Sequence, residues 1–403
     1  MEFTYILLVL IFYLLVREKK LIELEYFENI FYNKFNNHSI YTIKSNNKDT
    51  YTLLTDYKFS ETHKLGYEIS KIYPININIS KGMYSNLETI NQQGSVYQLC
   101  FCTENDLYNY TKNTKVDSLR YICSFYRMEM LFFINNKLRI TTIDDLIKLI
   151  MEKNNEKKKL RFGQLTDDYS SYHDSEKILN CMNIKNTDLE IIKCISIGDL
   201  IKKYVKDNID FFYLTTTSKN IHLINFLKNN FINIIGIGNI KSSLIQANFD
   251  MLFKTKLNIN KYNKIVKNNE DIFSYNSNSG LGNNIYINTY STRLILVCRK
   301  EIPNQFIYGL LNTIYKKREI LKNKMYKLYK NNKKNNLVSL MDPFEMFYNR
   351  NKIKYHEGAF NLYKKLGFIT YDKNKLNLLN SNVKSKLLIE NNGPYELMFS
   401  RDK

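Results

Sequence analysis

The sequence predicts an α/β protein in which a mainly parallel sheet carries helices on its faces. From Thr50 onward, short runs of alternating or continuous apolar residues succeed amphipathic runs of helical period, the pattern of repeated β-α units. The chain has 403 residues, enough for two domains of ordinary size. Its hydrophobic fraction of 44% and charged fraction of 24% lie in the globular range, so disorder is not the default.

YTLLTD (51–56) reads as a strand, HKLGYEISKIY (63–73) as an amphipathic helix, ININIS (75–80) as a strand, SNLETINQQ (85–93) as a helix and VYQLCFCT (96–103) as a strand. LRYICSFY (119–126) and MEMLFFIN (128–135) read as two further strands. The helix that follows, ITTIDDLIKLIMEK, carries Asp144 and Asp145 in its first turn, which suits the positive end of a helix dipole. A second stretch alternates the same way. Strands fit LRFGQL (160–165), LEIIKCI (189–195), IDFFYLTT (209–216) and FINIIGIG (231–238). Helices fit DSEKILNCMNI (174–184), GDLIKKYVKDN (198–208) and IHLINFLKNN (221–230). TRLILVCRK (292–300) is then a strand feeding the helix NQFIYGLLNTIYKK. No internal repeat appears, and the Lys- and Asn-rich stretches at 153–159 and 329–336 read as solvated loops.

FTYILLVLIFYLLV, from Phe3 to Val16, lacks any charge and is followed by Arg17, Glu18, Lys19 and Lys20. It is short for a span, since a bilayer core needs roughly 20 apolar residues. Glu2 precedes the run and no cleavage site of small residues follows. An uncleaved anchor over residues 1–20 therefore ranks above a cleaved signal, and a buried helix ranks third. Residues 21–49 read as a polar linker. The basic cluster after the run places the body on the cytoplasmic side. Sequons at Asn37, Asn78 and Asn109 would argue for a lumen, but an Asn-rich chain makes them by chance.

The net charge of +20 raises the prospect of a polyanion partner. Its lysines are spread out and interleaved with Asn, in a chain with only 4 Pro, 13 Gly and no Trp. That bias follows AT-rich codons, so a solvated basic surface is the leading reading and no nucleic-acid partner is expected. The exception is the segment 315–336, a helix with Ile320, Leu321, Met325 and Leu328 as a narrow apolar stripe and a wide basic face, where a polyanion would dock. The six cysteines form neither CxxC pairs nor a zinc pattern with the five histidines, so free buried thiols are expected. Cys100 and Cys102, two apart on a strand, share one face.

From about Thr50 to Thr370 the order and spacing of these pieces resemble the TAXI family, the solute receptors of TRAP transporters. IKYHEGAFNLYKKLGFI, with His356, Gly358, Ala359 and Gly367, resembles the closing segment of that family. KGMYSNLETI with Gly82, Asn86 and Leu87, TTIDDLI, NIDFFYLTT and TRLILVCRKEIPNQFIYGLLNTIYK match other family segments in order. The resemblance implies a two-lobed type II periplasmic-binding-protein-like fold. Lobe I would comprise 50–136 plus 290–370 and lobe II 137–289, with a C-terminal extension at 371–403. The ligand would lie between them, as is common at the carboxyl ends of parallel strands. The resemblance also implies an extracytoplasmic body and a permease partner.

Mapped through this resemblance, the ligand-binding residues are Asp56, Gly82, Met83, Asn86, Thr103, Glu104, Ser170, Ser171, His173 and Tyr213. Hydroxyls, amides and backbone N–H groups at helix starts suit a small carboxylate. Asp56 and Glu104 would instead pair with an amino group, so an amino acid such as glutamate fits at least as well. Three departures bear on affinity. The first loop is DYKFSETHKLG rather than Gly-rich, Met83 replaces a Ser, and YSSYHDS replaces a Gly-Ser-Gly-Thr loop, with Ser170 and Ser171 left to cap its helix.

No Ser, Cys or Asp forms a recognisable nucleophile motif with His356, and the resemblance makes it a structural or hinge histidine. His173 reads equally as an anion contact or a surface residue. Gly236-Ile237-Gly238 lacks the rest of a dinucleotide fingerprint, and neither cofactor nor metal is expected. Three functions remain: a non-enzymatic solute receptor, a membrane-tethered contact module that has lost the pocket, and an enzyme on this fold, as in thiamine-precursor synthases. The receptor leads. If residues 1–20 are an anchor, the full chain resists carbonate extraction from membranes whereas a chain beginning at Leu21 is released; equal fractionation of the two rejects the anchor.

Overall fold

The computed structural model describes residues 51–57, 60–217, 232–249, 251–258, 286–327, 346, 347, 349 and 353–368. The expected anchor, the linker, the helix at 221–230 and the C-terminal extension lie outside the described residues. No helix among the described residues is long and apolar enough to cross a membrane.

The chain first forms β1 (Thr52–Leu54), α1 (Glu61–Ser70), β2 (Asn76–Asn78), α2 (Met83–Asn91), β3 (Leu99–Thr103), α3 (Glu104–Asn113) and β4 (Leu119–Asn135). It continues through α4 (Ile143–Asn155), β5 (Leu160–Leu165), α5 (Ser170–Cys181), β6 (Leu189–Cys194), α6 (Ile197–Val205) and β7 (Phe211–Thr216). Then come β8 (Ile232–Gly236), α7 (Ser242–Asn248), β9 (Phe253–Asn258), β10 (Tyr286–Arg299), α8 (Asn304–Lys316), α9 (Arg318–Lys327) and α10 (Glu357–Lys365).

The strands form one sheet of two similarly wound halves. In the first, β1 lies between β2 and β3 in parallel, and β10 enters beside β3 in the opposite direction. In the second, β5 lies between β6 and β7 in parallel, and β4 enters beside β7 in the opposite direction. The long strands β4 and β10 belong to both halves. β4 pairs with β10 over Leu119–Glu129, then with β7 and β8 from Glu129 onward. β10 pairs with β9 up to Ser291 and with β3 beyond Leu294. This is the two-lobed α/β architecture that the resemblance implies. The parallel trios are the β-α units legible in the sequence; the antiparallel pairs all involve the crossing strands.

Side-chain alternation packs both faces. In the first half Leu53, Phe101 and Leu296 face α1, α8 and α10, while Leu54, Cys100 and Cys102 face Leu87 of α2 and Leu107 of α3. In the second half Phe132 and Phe162 meet Leu146 and Ile178, whereas Phe133 and Phe212 meet Leu200. All six cysteines are buried free thiols, and Cys100 and Cys102 share one face.

Several elements differ from expectation. The two strands read at 119–126 and 128–135 are one, because Arg127 does not break the run: its guanidinium lies over the Phe253 ring at 4.3 Å. Helix α3 was missed by period because its buried face includes Glu104, Asn105 and Asp106 as well as Leu107 and Tyr110. Its start is fixed by a capping box in which Thr103 and Asp106 exchange hydrogen bonds of 3.0 and 3.1 Å. The basic helix read from 315 is two helices, α8 and α9, parted at Lys317. In α9, Leu321 and Met325 are buried, Ile320 is half exposed, and Lys324 pairs with Glu68 of α1 at 3.1 Å.

His356 is structural. Its Nδ1 accepts the Gly358 N–H at 3.1 Å, capping α10, so its Nε2 carries the proton and donates to the Ile302 carbonyl at 2.9 Å. Burial lowers its pKa, as suits this neutral tautomer. Gly358 then lets α10 reach α8, since a Cβ there would lie 2.2 Å from the Asn304 carbonyl oxygen. A backbone atom yields little, so Gly358→Ala is expected to cost roughly 1–3 kcal/mol, measured as a lower denaturation midpoint. An unchanged midpoint would show that the helices slide apart freely.

Candidate functional site

A cavity of about 40 Å³ lies where the carboxyl ends of the parallel strands of both halves meet. Four helix N-termini open onto it: Ser60, Glu61 and Thr62 at α1, Met83 at α2, Ser170 and Ser171 at α5, and Ile197 at α6. Asp56 and Tyr57 come from the loop after β1, Tyr126 and Met128 from β4, and Thr215 and Thr216 from the end of β7. Strand–loop–helix units make this convergence, because each parallel strand delivers its following helix start to the same edge. The first N–H groups of each helix have no intrahelical partner, and their dipoles add positive potential.

Acidic side chains oppose that potential. Asp56 is 6% exposed; its Oδ1 accepts the Tyr57 N–H at 2.8 Å, and no described residue hydrogen-bonds Oδ2. Burial pushes its pKa up to about 7, with a smaller push from Asp106 and a counter-effect of the Tyr57 N–H. Glu61 accepts a hydrogen bond from the Thr217 hydroxyl. Among the described residues lining the cavity, none is Lys, Arg or His.

Behind the cavity a polar seam joins α3 to the second half. Asn105 Nδ2 donates to Asp174 Oδ1, Ser170 Oγ to Asp106 Oδ2 and Thr215 Oγ1 to Asp174 Oδ2, each at 2.5 Å. Asp106 and Asp174 are fully buried, and burial raises both pKa values. A second seam closes the front. The Tyr84 N–H donates to the Asp168 carbonyl at 3.3 Å, and a Cβ on Gly82 would sit 2.2 Å from that same oxygen.

Of the residues mapped from the sequence, Asp56, Met83, Ser170 and Ser171 line the cavity, and six do not. Gly82 forms the front seam. Asn86 is wholly buried and its Nδ2 ties the Thr55 carbonyl to that of Phe101 at 2.8 and 2.9 Å. Thr103 caps α3, and Glu104 forms a buried ion pair with Arg293. His173 spends a ring nitrogen on the Asp167 carbonyl at 2.8 Å and stacks on Tyr84 with centroids 3.8 Å apart. Tyr213 is buried with its hydroxyl 3.0 Å from Thr215 Oγ1. Neither Ser170 nor Ser171 caps α5, whose N-cap is Tyr169: their hydroxyls serve Asp106 and the Thr215 N–H instead. Ser60, Thr215 and Tyr126 were missed. A Ser three residues before His63 in S-E-T-H was the available signal for the first, since its Oγ accepts the His63 N–H.

A carboxyl whose folded pKa lies above its unfolded value stabilises below the unfolded pKa and loses that contribution as pH rises through the folded one. For Asp56 that window runs from about 4 to about 7. Stability of the ligand-free chain is therefore expected to fall across it by up to about 1.4 kcal/mol per pH unit from this group. Asp56→Asn removes that share, so the gap between the two chains in urea melts should change with pH. A gap constant from pH 4 to 7 would show that burial does not raise the Asp56 pKa above its unfolded value.

The described fold is similar to solved binding proteins at low identity. MatC from Rhodopseudomonas palustris with bound malate shares 8% identity, with 70% of this chain and 98% of that chain covered and a TM-score of 0.43. A substrate-binding protein of an ABC uptake transporter from Streptococcus pneumoniae, with bound histidine, shares 12%, covering 70% and 93%, at 0.42. No curated protein matches the sequence. The NMT1-like family model matches residues 80–367, from the loop before α2 to the end of α10, and the chain belongs to the NMT1-like family.

Proposed function

We propose that this chain is a solute receptor, not an enzyme, which holds a small carboxylate or amino acid between two lobes, 50–136 plus 290–370 and 137–289. In this reading it is similar in role to TAXI receptors and serves a permease from the outer side of a membrane. The supporting observation is the cavity itself: its walls come from both halves, and four helix N-termini meet there. Backbone N–H groups so arranged suit a carboxylate, and Asp56 suits an amine. A contact module with a lost pocket is the second reading, favoured by the volume of about 40 Å³, against roughly 300–1,000 Å³ for ordinary ligand pockets.

The two readings part on whether the seams open. A receptor must separate Gly82 from Asp168 to admit a solute and restore the contact around it. With the full chain and a panel of amino acids, hydroxy acids and dicarboxylates, at least one compound is expected to raise Tm in a concentration-dependent way. Gly82→Ala, whose Cβ would press on the Asp168 carbonyl, should weaken that compound at least tenfold, read as the ligand-induced rise above the variant's own ligand-free Tm, which the same clash lowers. No shift with any compound would leave the contact module standing.

A further inference from the structure

The cavity carries a chemical preference that its helix dipoles alone would not predict. Four N-termini favour an anion, yet among the described residues the ionisable side chains on the walls are two carboxyls, Asp56 and Glu61, and three phenols, Tyr57, Tyr126 and Tyr169. The guanidiniums nearest in sequence are turned elsewhere. Arg127 alternates with Tyr126 and Met128 on β4, so it projects from the opposite face, and it lies over Phe253. Arg293 is held by Glu104.

Asp56 is the decisive group. It is buried, its Oδ1 holds the Tyr57 N–H, no described residue hydrogen-bonds Oδ2, and it lines the cavity. A buried carboxylate without a cation is costly. An ammonium delivered by a ligand would remove that cost, whereas a second carboxylate beside it would increase it.

Resting on the receptor reading above, we infer that the cavity selects solutes bearing a protonated amine, with Asp56 as counter-ion and the α5 N-terminus left for a carboxylate. The site thus takes a zwitterion in preference to a hydroxy acid or a dicarboxylate of the same size. Its volume puts small amino acids, of the size of glycine or alanine, first.

A proton balance follows. Burial and the nearby Asp106 keep Asp56 protonated below about pH 7 in the empty cavity. Among the described residues Glu61 and the three phenols are the other titratable groups on the walls, and Asp106 lies behind Ser170, which hydrogen-bonds it. An entering ammonium keeps its own proton and favours the ionised carboxyl, so Asp56 releases one proton to solvent. Affinity for an amine should therefore weaken about tenfold for each pH unit below about 7.

The test is calorimetric titration of the full chain near pH 6 in two buffers of different ionisation enthalpy. The probes are glycine and alanine against glycolate and lactate, with glutamate against 2-hydroxyglutarate and succinate. The expected result is that the amine of each pair binds at least tenfold more tightly and releases about one proton. Asp56→Asn should lose both the preference and the release. The wild-type pairs decide the matter even if that variant fails to fold. Tighter binding of the hydroxy acids or succinate, or proton uptake with any bound probe, overturns the amine preference and leaves the receptor standing. Absence of binding by every probe overturns both.

Discussion

A guanidinium buried in the middle of the sheet fixes much of this molecule. Arg293 on β10 is 1% exposed and cannot shed its charge, so it must be met by a carboxylate. Glu104, the first residue of α3, meets it through both oxygens. Deleting one partner of such a pair typically costs about 3–5 kcal/mol, because the other charge is left buried. The adjacent Asn105 N–H donates to Thr292 Oγ1, which pins the same helix start to the same strand. With α3 so fixed, Asn105 and Asp106 are presented to Asp174 and Ser170 across the divide between the halves. The back seam is thus a consequence of a charge pair that lies outside the cavity.

The cavity is a contest between two electrostatic terms. Helix N-termini supply positive potential, and the protein answers with its own acids rather than leaving that potential for a ligand. Around Asp106 the Thr103 N–H and the Ser170 hydroxyl both serve Oδ2, while the buried Oδ1 has no hydrogen bond among the described residues and burial raises the Asp106 pKa. Around Asp56 the Tyr57 N–H meets Oδ1, and burial again outweighs that bond. The two carboxyls differ in place: Asp106 lies behind Ser170, whereas Asp56 lines the cavity.

The repeated β-α units were legible because Leu53, Phe101, Phe162 and Phe212 sit in apolar runs of the right length. The start of α4 was legible in Asp144 and Asp145, and the structure adds a cap there in which Thr142 and Asp145 exchange hydrogen bonds. Helix α3 was not, since a face built from Glu104, Asn105 and Asp106 has no hydrophobic period. The site was half legible. The family resemblance located Asp56, Met83, Ser170 and Ser171, but nothing local says whether a polar side chain faces a cavity or a neighbour. Asn86 and Glu104 have the chemistry of ligand contacts, and the fold uses them on the Thr55 carbonyl and on Arg293. Tyr126 and Met128 were read simply as strand residues; both are buried in the core and also reach the cavity wall.

The sharing of β10 by both halves has a consequence for synthesis on the ribosome. Strand β3 ends at Thr103, and its neighbour β10 begins at Tyr286, about 180 residues later. At about 5–20 residues per second, the nascent first half waits on the order of 10–40 s with the β3 edge unpaired, while the whole second half emerges. Completion of the first half then awaits the return of the chain, so the two halves mature out of the order in which they are made. An unpaired edge of Leu99, Phe101 and two cysteines is a template for wrong partners during that interval.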